Sequence, residues 1–96
     1  MSEKVRLEVP GASLPFYSYE LEGINYIEFD ASESELPEPM VNAMKGFALI
    51  SGTDKRLVMI NAHEPTPLYL RIADSFVWDV EVLENGNIKI VFSNKM

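Results

Sequence analysis

Asn61-Ala62-His63-Glu64 brings an amide, an imidazole and a carboxylate together, and Pro65-Thr66-Pro67-Leu68 follows at once. His63 is the only histidine in the chain, and imidazole is the side chain whose ordinary titration falls near neutral pH. Beside carboxylates it could serve as a metal ligand, a general base or an anion contact. As a plain turn residue, its ring would simply bond a neighbouring carbonyl. A second cluster runs from Ser32 to Pro39 and carries Glu33, Glu35 and Glu38 around Leu36-Pro37. Pairs such as Glu35 with Glu38 could share acid–base work, although carboxylates in acidic loops are ordinarily solvated. Ser32, Ser34, Ser51 and Ser75 lack a nucleophile-elbow sequence, and there is no glycine-rich phosphate loop. No residue is therefore assigned as catalytic. One histidine with oxygen ligands falls short of the usual zinc and iron sets, so His63 would bind metal only if a second subunit completed the site. No cofactor is expected.

Composition narrows the functional classes. Fifteen acidic residues against eight Lys plus Arg give a net charge of −7, which disfavours nucleic acid as a partner because phosphate contacts need a basic surface. Residues 1–38 hold nine acids and two bases, whereas residues 39–96 hold six of each, so the acidity belongs to the N-terminal part. That part could be a solvated face or a docking surface for a basic partner. The absence of cysteine excludes disulfides and thiolate chemistry. No apolar run approaches the roughly 20 residues of a membrane helix, and a cytoplasmic protein without a membrane partner is expected.

The loops must be positioned by regular elements. Val5, Leu7 and Val9 alternate with charged residues, and Phe16 to Leu21 alternates again, predicting a β-hairpin extension over 1–23. The segment 24–29 is rich in β-branched and aromatic residues, as strands are. Pro37 then suits the first turn of a helix running to about Ser51, with Met40, Val41, Met44, Phe47 and Ala48 on its apolar face. Gly46 costs that helix about 1 kcal/mol against alanine, which packing must offset. Continuous apolar character at 57–60 predicts an interior strand. A short helix follows over 68–74 with Leu68 and Ile72 inward, and then a strand pair joined at Asn85-Gly86, a two-residue hairpin signal. Residues 24–96 thus read β-α-β-α-β-β. They form an α+β two-layer sandwich with a four-stranded mixed sheet, strands 24–30 and 56–61 parallel, and both helices on one face.

The strand ending in Phe29-Asp30, the Leu36-Pro37-Glu38-Pro39 segment and the amphipathic helix after it resemble the SirA/TusA sulfur-carrier family. That family places Cys-Pro-x-Pro at the start of its first helix, its cysteine holding a persulfide. The element order over residues 24–93 is similar too. Here Leu36 stands where the cysteine would be, and a leucine side chain can hold no sulfane sulfur. The segment from Asn61 to Leu68 resembles an uncharacterised, cysteine-less branch with an Asn-x-His-(Asp/Glu)-Pro-x-Pro-Leu pattern. The resemblance implies a non-catalytic binding domain acting on a protein partner or small ligand. Loops leaving the carboxyl ends of parallel strands share one rim, which would gather Asn61, His63, Glu64, Glu35 and Glu38. The alternative is a small enzyme or metal-binding protein using His63 with those carboxylates. The N-terminal extension could also pair two copies into a homodimer.

Overall fold

The structure is a computed structural model that describes residues 3–95. Eight elements follow in order: β1 (Val5–Leu7), β2 (Phe16–Leu21), β3 (Ile24–Asp30), α1 (Glu38–Phe47), β4 (Lys55–Asn61), α2 (Thr66–Ile72), β5 (Phe76–Val82) and β6 (Ile88–Asn94). All six strands form a single mixed sheet in the order β1-β2-β3-β4-β6-β5. The expected four-stranded sheet is therefore widened by two. β2 pairs antiparallel with the whole of β3, and Phe16 is buried with its ring stacked on Phe29 at 5.0 Å. β1 and β2 form the expected hairpin, and it is joined to the rest of the sheet through β3.

β3 and β4 run parallel with Ile27 beside Leu57 and Phe29 beside Met59, as a crossover through α1 requires. β4 is the interior strand, since β6 flanks its other side and Leu57, Val58 and Met59 are all fully buried. Alternation sends Phe16, Ile27, Phe29, Leu57, Met59, Ile90 and Phe92 to one face. There they meet Ala43 and Phe47 of α1 and Leu68 and Ile72 of α2 in one core. Fully burying a Leu, Met, Ile or Phe side chain, as at Leu57, Met59, Leu68, Ile90, Phe29 and Phe92, is worth about 1.5–3 kcal/mol each. Phe47 fixes the end of α1 by packing edge-on against Phe92, with centroids 4.9 Å apart. Among the described residues, no helix is long and apolar enough to cross a membrane.

Two local expectations are corrected. α1 stops at Phe47, and it buries Pro39, Asn42, Ala43, Gly46 and Phe47, while Val41 and Met44 are about two-fifths exposed. The helix is rotated because small residues let it sit close on β4. A Cβ on Gly46 would lie 2.6 Å from Leu57 Cδ1, so only glycine permits that approach. The β5–β6 connection is also longer than two residues. Gly86 N–H donates to Leu83 O and Leu83 N–H to Asn87 O, a three-residue loop with Gly86 at φ 90°.

Candidate functional site

The loops after β3 and β4 leave the sheet side by side. Ala31 N–H donates to Ile60 O at 2.7 Å, which carries the β3–β4 ladder one step past its last registered pair. Asp30 then turns its own loop by accepting the Ser32 N–H at 2.9 Å. Between the two loops lies a groove of about 700 Å³. Leu36, Pro37, Pro39, Met40, Ala62, Pro65 and Pro67 form its apolar bed, and Ser34, Glu35, Asn61, His63 and Glu64 provide its polar groups. The helices α1 and α2 both begin here, each with a proline in its first turn, where a missing N–H has no cost.

Four of the five residues singled out from the sequence thus share one groove. Asn61 Nδ2 donates to the backbone carbonyl of His63 at 2.9 Å and so fixes the path of the loop. The His63 side chain is exposed, and its ring makes no hydrogen bond or ion pair among the described residues. Glu64 Oε1 accepts from the Tyr69 hydroxyl at 3.1 Å, and the Tyr69 ring is stacked on Trp78. Burial, and then this bond to Glu64, raise the Tyr69 phenol above its ordinary range. Glu35 stands on the opposite wall, exposed.

Glu38 is the exception. It does not line the groove but turns toward the loop before β2, where it accepts the Ser13 hydroxyl at 2.6 Å. Bonds from Ser13 and then Ser34 hold its carboxyl below the usual range. The residue that organises this corner is Asn42, which is fully buried. Its Oδ1 accepts the N–H groups of Ser13 and Leu14, and its Nδ2 donates to Ser13 Oγ and Glu38 O. The only sequence signal for Asn42 is an amide within an otherwise apolar helix face. Tyr69 is signalled only by lying one helical turn and a little more beyond Glu64.

No Lys or Arg lines the groove, so at neutral pH Glu35 and Glu64 make its field negative. Among the described residues, no group of three or more His, Asp or Glu side chains is gathered to hold a metal ion. A second concavity, of about 610 Å³, lies across the β3 loop and takes Asp30, Ser32 and Glu33. Neither a family model, nor a curated protein, nor a solved structure matches the chain.

Proposed function

We propose that this chain is a non-catalytic, TusA-like binding domain whose ligand is taken in the groove carrying His63. The observation behind this reading is Leu36. It is 76% exposed at the groove's edge, at the position where the resemblance would place a sulfur-bearing cysteine. An isobutyl group held out in water offers apolar contact and no bond-making chemistry. Beside it, Pro37, Met40 and Pro65 extend the apolar bed, while Glu35 and Glu64 favour a positive charge in the ligand. The ligand chemistry that fits is an apolar side chain next to a cation, as in a short peptide with neighbouring Leu and Lys or Arg residues. His63 and Asn61 would supply the directional hydrogen bonds.

The test is an amide chemical-shift titration of the labelled protein with two short peptides, one Leu/Lys-rich and one Leu/Glu-rich. The Leu/Lys peptide should move the amides of residues 34–37 and 61–67, and Leu36→Asp and His63→Ala should each abolish the response. His63→Ala should cost less than about 1 kcal/mol of stability, as expected for an exposed loop residue. No response to either peptide would overturn the reading. Near-stoichiometric metal in protein purified without an affinity tag would favour the metal-site alternative.

A further inference from the structure

The sheet ends in two unlike edges, β1 and β5. β1 is three residues long, with Lys4 before it and Pro10 soon after, features that close an edge to further strands. β5 is seven residues long, pairs with β6 at every position and contains no proline, lysine or arginine. The phase of its ladder is fixed at both ends, where Lys95 N–H donates to Ser75 O and Leu83 N–H to Asn87 O. Antiparallel bonding alternates, so Val77, Asp79 and Glu81 turn their backbone groups to β6. Those of Trp78, Val80 and Val82 point outward, and none makes a further backbone bond among the described residues. The Trp78 ring is covered by its stack on Tyr69, whereas Val80 and Val82 lie on the same face beyond it, exposed. Asp79 and Glu81 are exposed on the other face. Residues 76–84 hold three acids and no base. Lys89, cross-strand from Glu81, makes no ion pair among the described residues.

We propose that β5 is a docking edge for an extended segment of a partner protein in which apolar and basic residues alternate. Such a segment adds a further strand to the sheet, its backbone bonding to the outward groups of Trp78, Val80 and Val82. Residues opposed across two strands share a face. The segment's apolar side chains therefore lie beside Val80 and Val82, and its Lys or Arg side chains beside Asp79 and Glu81. A second copy of β5 fits this edge poorly. Outward-bonding residues must meet their like, so the register that overlaps the whole strand sets Asp79 opposite its own copy. The next register toward the carboxyl end sets Asp79 opposite Glu81. Like charges directly opposed across strands destabilise the pair, so the acids that favour a basic strand also disfavour self-pairing. The edge shares no residue with the His63 groove and stands independently of that site.

Amide hydrogen exchange of the full chain, followed by NMR, tests this with two short, end-blocked peptides, one alternating Lys with Val and one alternating Glu with Val. In the free chain the Trp78, Val80 and Val82 amides should exchange faster than those of Val77, Asp79 and Glu81, which are bonded to β6. The Lys/Val peptide should slow the first three at least about tenfold and leave the others unchanged. The Glu/Val peptide should not. Asp79→Lys, which leaves the backbone untouched, should weaken the Lys/Val peptide about fivefold and admit the Glu/Val peptide. Val80→Pro removes an outward N–H that has no partner in the free sheet, so it should keep the fold, checked by circular dichroism, and abolish binding. Trp78, Val80 and Val82 amides that stay fast at the highest soluble concentration of the Lys/Val peptide would overturn the proposal. So would equal binding of the two peptides. Protection at these amides that grows with protein concentration alone would give the edge to a second copy and overturn it as well.

Discussion

The Tyr69 hydroxyl holds Glu64 at 3.1 Å, and the same ring is clamped against Trp78 with centroids 4.4 Å apart. One wall of the groove is therefore anchored through an aromatic pair to the edge strand β5. Tyr69→Phe keeps the stack and removes the bond. It should cost about 0.5–1.5 kcal/mol by urea denaturation and speed amide exchange at residues 62–65. Tyr69→Leu, which also loses the stack, should cost more.

Alkaline pH should destabilise the protein through two phenols. Burial and Glu64 raise Tyr69, and burial with Glu28 raises Tyr19. A raised value means that the unfolded chain releases these protons first. The contribution is then complete below the ordinary tyrosine value of about 10 and is lost as pH rises beyond it. Urea unfolding followed across that window should show stability falling with pH. Tyr19→Phe with Tyr69→Phe should flatten the slope.

Glu38 works in the opposite direction. Its carboxyl is held low by Ser13 and Ser34, so its contribution is present above the ordinary glutamate value and fades as pH falls through the lowered one. Ser13→Ala should move the Glu38 titration, followed by NMR at its side-chain carboxyl carbon, back toward that ordinary value.

Asn42→Ala strips the partner from two backbone N–H groups at once, those of Ser13 and Leu14. A loss of about 2–3 kcal/mol is expected from the unfolding midpoint. Asn42→Asp keeps an acceptor for the two N–H groups but buries a carboxylate whose second oxygen faces Glu38 O, so its loss at neutral pH should be at least as large and should shrink as pH falls. A loss that does not vary with pH would show that no charge is carried at that position.

Gly46→Ala sets helix propensity against packing. Alanine gains about 1 kcal/mol in a helix, but its Cβ would press 2.6 Å from Leu57 Cδ1 in the core. Overpacking should win, for a net loss of about 1–3 kcal/mol in thermal or urea unfolding. Leu57→Ala in the same chain should relieve the clash, giving a non-additive double-mutant cycle.

Much of the groove was legible because topology alone gathers it. Parallel strands 24–30 and 55–61 force their following loops onto one rim, so Glu35, Asn61, His63 and Glu64 meet whatever their side chains do. The turning of Glu38 was not legible. It depends on Ser13, 25 positions away, reaching the start of α1 through the Asn42 clamp. The face of α1 was misread for a related reason. Hydropathy favours Val41 and Met44, whereas the closest approach to β4 rewards the smallness of Ala43 and Gly46. The width of the sheet is not legible in the sequence, because alternation identifies strands but not their neighbours.

The strand order divides the sheet by sequence distance. At one end β1, β2 and β3 form a meander, and at the other β5 and β6 form a hairpin, with Leu21 beside Ile24 and Val82 beside Ile88. β4 alone borders strands remote on both sides, Leu57 lying beside both Ile27 and Phe92. It is the keystone between two locally assembled halves, and its insertion closes both long loops in one event. Disturbing Leu57 or Met59 should therefore slow the joining of the halves, while changes within either end should mostly hasten their opening.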